Sequence, residues 1–141
     1  MSEFVSKNLA VNEKGHLTIA GLDTVELAKE YGTPLYVFDE GLIRKTCVEF
    51  KGSIDEFYGG NGKVLFASKA FSVKKMYKIL KEEDIDTDVV SKGEIYTAKK
   101  AGFEGVEVAL DETGEVSLES TEKDLLEVKR QAEDSGIELY S

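Results

Sequence analysis

The sequence predicts an α/β chain in which strands and helices alternate, and three observations carry that expectation. From Lys63 onward, short apolar runs alternate with segments of helical apolar spacing, in the order strand, helix, strand, helix, strand, helix, strand. Two of the helical segments, opened by Asp23 and by Thr121, are closed by Gly32 and Gly136, the usual start and stop signals. The chain has 141 residues, 41% hydrophobic and 33% charged, which suits a globular domain of ordinary size. Alternation of this kind implies parallel strands covered by helices, either in a (β/α) barrel or in an open doubly wound sheet.

The N-terminal segment, residues 1–39, reads as strand, helix, strand. "HLTIA" is a plausible lone strand. "DTVELAKEYGTP" is a short helix: Asp23 with Glu26 forms an Asp variant of the capping box, Gly32 can cap the C-terminus, and Pro34 forbids continuation. "PLYVFD" reads as a strand. Residues 40–141 then form the alternating part. From Glu40 to Tyr58, Ile43, Cys47, Phe50, Ile54 and Phe57 are spaced to share one helical face. Cys47, the single cysteine, reads as core filler, because no histidine is placed to activate it. "YGGNGK" is a turn and not a phosphate loop, since Phe57 stands where the first glycine should be and a strand follows. "VLFAS" is the first strand of the alternation. Ser72 is expected to cap a helix carrying Val73, Met76, Ile79 and Leu80, "DTDVV" is a strand, "GEIYTAKKAG" a helix and "GVEVAL" a strand. "ETGEVSLES" is a polar loop. Thr121 with Asp124 opens a helix that ends at Gly136, and "IELY" begins another strand. A closed barrel needs eight strands and ~250 residues, so the segments supply about half of one.

Composition removes several functions. The formal net charge of −10 opposes nucleic acid and anionic membrane as partners. A lone cysteine allows no intrachain disulfide and suits a reducing cytoplasm. "MSEFVSKNLAVNEKG" lacks the apolar core of a signal peptide. His16, the only histidine, has no partner at zinc-ligand spacing and reads as a surface strand residue. Asp84, Asp86 and Asp88 alternate like the start of a calcium loop, but Val89 occupies the place of the glycine and Ile95 that of the bidentate glutamate.

Lys69 stands out. A buried strand ends on it, and in a parallel α/β framework chemistry gathers at the carboxyl ends of strands. Asp88 and Ser91 fall near the same end of the next strand, ~4.8 Å away. A lysine there is either an ordinary snorkelling residue or an amine desolvated enough to attack a carbonyl.

"GTPLYVFDEGLIR", "VLFASKAFS" and "DVVSKGEIYTAKKAGF" together resemble successive motifs of the pyridoxal-phosphate-dependent diaminopimelate decarboxylases, over residues 8–103. The resemblance extends more loosely to ornithine and arginine decarboxylases and to alanine racemase. It implies a partial (β/α) TIM-type barrel, pyridoxal 5'-phosphate as cofactor, Lys69 as the residue that carries it, and Asp88 and Ser91 at the cofactor mouth. Where the family reads Ser-Gly-Gly-Glu, this chain has Ser91-Lys92-Gly93-Glu94. The implied activity converts meso-diaminopimelate to L-lysine, in the cytoplasm, with an amino acid as the small-molecule partner and a homodimer as the assembly. Residues 104–141 instead resemble the sugar-phosphate isomerase and epimerase barrels, which places a seam near 101–105; Glu107 sits at a strand position typical of them and receives no catalytic role. The later-barrel and C-terminal motifs of the decarboxylases are absent. Two alternatives therefore stand beside the decarboxylase reading: a sugar-phosphate isomerase-like fragment, and a non-catalytic interaction module.

Overall fold

A computed structural model describes residues 6–109, 116–117 and 119–140. Within it the chain divides into two units, one up to Thr46 and one from Cys47 on. The division falls a few residues beyond the 39/40 boundary expected from the sequence, inside the helix that begins at Glu40.

The first unit is a three-stranded antiparallel sheet, β1 (Leu9–Val11), β2 (Leu17–Ile19) and β3 (Leu22–Asp23), followed by helix α1 (Thr24–Tyr31). "HLTIA" is thus the middle of a sheet and not a lone strand, with Ala10 opposite Thr18 and Thr18 opposite Asp23. Gly15 and Gly21, at φ +76° and +81°, make the two tight returns, a backbone region that glycine enters without steric cost. Asp23 caps α1 as expected, accepting the Val25 and Glu26 N–H groups, and Gly32 follows the helix at φ +79°. The Glu26 side chain does not close the box; it pairs with Lys29 at 2.9 Å. "PLYVFD" is not a strand. Residues 35–39 have no regular structure, and no described strand lies beside them to supply the ladder that defines one.

Helix α2 (Glu40–Tyr58) opens on Asp39, whose Oδ1 accepts the Leu42 N–H at 3.0 Å. Its expected apolar face is only partly covered: Cys47 is buried, but Phe50 and Phe57 are 59% and 72% exposed. The spacing places these residues on one face; burial depends on what lies against that face.

The second unit carries the parallel sheet β4 (Leu65–Ala67), β5 (Asp86–Val89), β6 (Gly105–Val108) and β7 (Glu138–Tyr140), in sequential order with all three pairings parallel. Helices α3 (Lys74–Glu82), α4 (Lys92–Ala101) and α5 (Glu122–Ser135) connect the strands. α3 packs on α4 and β5, and α5 on α4 and β7. This is the strand–helix alternation of a barrel in its first half. The core lies between sheet and helices: Thr87, Val89 and Val106 from the strands meet Tyr77, Leu80, Ile95, Ala98 and Phe103, with the Tyr77 and Phe103 rings edge to face at 6.2 Å. Local signals fix the helix ends. Thr121 and Asp124 form a reciprocal capping box, and Gly102 and Gly136 stop α4 and α5 in the left-handed region. The segment 110–115, part of the expected polar loop, lies outside the described residues.

Candidate functional site

β4 ends at Ala67 and the chain enters a single 3₁₀ turn, Ser68–Ala70. Lys69 therefore sits, exposed, just past the carboxyl end of a parallel strand. The register sets Ala67 opposite Asp88. Because side chains alternate along a strand, Thr87 and Val89 point into the core while Asp86 and Asp88 point to the other face. Asp88 Oδ1 accepts the Ser68 N–H at 3.0 Å, so the residue before Lys69 is tied to β5. Thr87 adds a bond from its hydroxyl to the Phe66 carbonyl at 3.0 Å.

Ser91 lies two residues beyond β5 and is the N-cap of α4, its Oγ accepting the Glu94 N–H at 3.4 Å. It joins the other two through Glu94. That carboxylate is buried, accepts the Val90 N–H through Oε2 at 2.7 Å, and accepts the Ser72 hydroxyl through Oε1 at 2.9 Å. Ser72 Oγ is also 3.0 Å from the Ser68 carbonyl. The three residues singled out from the sequence thus stand on one connected rim: Lys69 through its neighbour Ser68 to Asp88, and through Ser72 to Glu94 and Ser91.

Ser72 is not the helix cap that the sequence suggests. Val73 holds that position without a side-chain bond, and the Ser72 hydroxyl turns back to the lysine turn. Glu94 and Ser72 join this candidate rim, and the sequence reading did not single them out for it. The Ser91-x-x-Glu94 spacing is a capping-box signature and marks Glu94 as a group that reaches backbone N–H donors; here it takes the N–H of Val90, one residue before the cap. Ser68 Oγ is fully buried beside the Tyr77 hydroxyl, a feature no local pattern reveals. Burial pushes the Tyr77 phenol above its ordinary value, and its hydroxyl lies 3.5 Å from Ser72 Oγ.

The three aspartates that imitate a calcium loop have separate jobs. Asp84 follows α3 at φ +56° and pairs with Lys51 at 2.8 Å, which holds its carboxyl below the usual range. Asp86 pairs with Lys63 at 2.7 Å. Asp88 serves the lysine turn. His16 pairs with Asp23 in the first unit, at 2.9 Å.

Residues 40–135 match the family model described as pyridoxal-dependent decarboxylase, pyridoxal binding domain. The match runs through residues 101–105, where the sequence suggests a seam, and takes in most of the segment that resembles the isomerase barrels. Among curated relatives, the diaminopimelate decarboxylase of Bacillus methanolicus is 56% identical over 93 residues, which are 66% of this chain and 21% of that protein. The diaminopimelate decarboxylase of Methanothermobacter thermautotrophicus is 48% identical over 101 residues, 69% of this chain and 22% of that protein. The chain spans about a fifth of the length of these relatives. Among solved structures, AQ1208 from Aquifex aeolicus superposes with a TM-score of 0.65 at 32% identity, over 92% of this chain and 29% of that one. The diaminopimelate decarboxylase of M. jannaschii in complex with L-lysine superposes with a TM-score of 0.67 at 23% identity, over 89% and 28%, and speaks to the fold alone.

Proposed function

The chain belongs to the pyridoxal-dependent decarboxylases, through their pyridoxal binding domain, and from that premise we propose that it is the cofactor-capturing part of a diaminopimelate decarboxylase. The observation that carries the reading is the lysine turn: Lys69 on the rim of a parallel sheet, with the N–H of Ser68, the residue before it, bound to Asp88.

The residues fit a pyridoxal group by the chemistry of their side chains. Lys69 would hold the group, offering a primary amine that could condense with its aldehyde carbon with loss of water. Asp88 and Glu94 bring carboxylates to the same rim, one fixed by the Ser68 N–H and the other by the Val90 N–H and the Ser72 hydroxyl, so neither must reorganise as positive charge gathers near them. Ser91 adds a hydroxyl that is anchored as a helix cap. The bound group supplies an electron sink for the electron pair released with carbon dioxide.

Meso-diaminopimelate is the proposed amino-acid substrate and L-lysine the product, as the names of the curated relatives support. The working protein is read as a cytoplasmic homodimer. No helix among the described residues is long and apolar enough to cross a membrane. The test is a titration of the chain with pyridoxal 5'-phosphate followed by absorbance, then incubation with meso-diaminopimelate and amino-acid analysis. A saturating yellow band that meso-diaminopimelate perturbs and L-ornithine does not supports the reading, and L-lysine in the analysis would extend it to the complete reaction. Absence of the band contradicts it.

A further inference from the structure

We propose that Ser72 is a positioning residue for Lys69, setting how readily that lysine captures an aldehyde; the proposal rests on the cofactor reading above. Ser68, the residue before Lys69, is held through both of its flanking peptide groups. The Ser68 N–H on its strand side goes to Asp88 Oδ1 at 3.0 Å. The Ser68 carbonyl, which belongs to the Lys69 peptide itself, accepts the Phe71 N–H at 3.1 Å and lies 3.0 Å from Ser72 Oγ. The turn has no side-chain cap of its own. Ser72 therefore brings a side-chain donor to the carbonyl next to the lysine.

The same oxygen is 2.9 Å from Glu94 Oε1, 22 residues along the chain. A serine hydroxyl carries one proton, and both the carbonyl and an ionised carboxylate only accept. The proton is shared between the lysine turn and Glu94, and the Tyr77 hydroxyl lies 3.5 Å from the same oxygen. The charged acceptor makes this a stronger tie than a neutral pair. Glu94 is in turn fixed by the Val90 N–H at 2.7 Å. Ser72 thus couples the turn bearing Lys69 to the first turn of α4.

A serine that merely bonds a carbonyl four residues back is a common local feature and contributes to turn stability alone. The bond to Glu94 is what separates a positioning role from that local one. The experiment treats the chain with pyridoxal 5'-phosphate and borohydride, then measures by peptide mass spectrometry the labelling of Lys69 relative to exposed Lys74 and Lys78, with a thermal melt of each variant alongside. Ser72→Ala should lower the relative labelling rate of Lys69 by about tenfold, the size expected for losing one bond to a charged group, and Ser72→Thr, which keeps the hydroxyl, should restore it. If Ser72→Ala labels Lys69 with the same preference as the unaltered chain, the proposal is overturned and the cofactor reading stands. Loss of preference in both variants, in step with a lowered melting temperature, also overturns it. If the unaltered chain shows no preference for Lys69, the cofactor reading fails and takes the proposal with it.

Discussion

Up to Thr46 the described chain buries one side chain, Thr18, whereas every buried apolar side chain among the described residues lies from Cys47 onward. The two units are held by different physics. In the first, polar groups close short loops: Asn12 Oδ1 accepts the Lys14 and His16 N–H groups, Asn12 Nδ2 donates to Asp23, His16 pairs with Asp23, and Asp23 caps α1. In the second, Leu80, Val89 and Val106 are almost wholly removed from water between sheet and helices, and polar groups gather on the rim where the strands end. Such a rim inherits rigidity from the apolar layer beneath it, which is what a positioned amine requires.

Truncation of the core should have the largest effect. Leu80→Ala, at a site 1% exposed, should cost about 2–5 kcal/mol in urea unfolding, while Leu17→Ala in the first unit, 37% exposed, should cost well under that. Equal losses would dissolve the contrast. Next comes Gly105→Ala. A Cβ at Gly105 would overlap the Tyr140 ring, which lies across it from β7. Swinging the tip of that partly exposed ring aside should cost about 1 kcal/mol, and Tyr140→Ala in the same chain should remove most of the penalty in a double-mutant cycle. Thr121→Ala deletes half of the α5 capping box and should cost about 1 kcal/mol.

The smallest effects are those of pH, and they sharpen the comparison because both units carry a depressed carboxylate. The His16 bond, with Asn12 and two backbone N–H groups, holds Asp23 well below its ordinary value of 3.8. Arg130 and Gln131 bring Glu127 down to about 2. A carboxylate depressed in the folded state contributes fully above its unfolded value and loses that contribution as pH falls through its folded one. Stability from Asp23 should therefore be intact above about pH 4 and fade below it, and that from Glu127 should fade between about 4.5 and 2. The Glu127 pair faces water, which limits its size, while the Asp23 pair is more covered. Amide shifts of Val25 and Glu26 would follow the first titration, and the side-chain carboxyl shift of Glu127 the second.

What could be read from sequence divides along the same line of locality. The helix ends at Asp23, Gly32, Thr121 and Gly136 are set by residues within one turn, so their signals are complete in a short window. The strand–helix alternation and the place of Lys69 at a strand end follow from it. "PLYVFD" has strand composition without a paired neighbour among the described strands, and Phe50 and Phe57 have helical spacing without cover. Pairing and burial are properties of what stands opposite, which no single segment records. Ser72 shows the same limit at the site: its composition fits a cap, and only the approach of Glu94 from α4 gives its hydroxyl a different partner.

Mass spectrometry of the whole chain, after pyridoxal 5'-phosphate and borohydride, tests the amine at the sheet rim most directly. One added group per chain, found on Lys69 and missing from Lys69→Ala, is the predicted result. A spread of label over the surface lysines that Lys69→Ala leaves unchanged would contradict it.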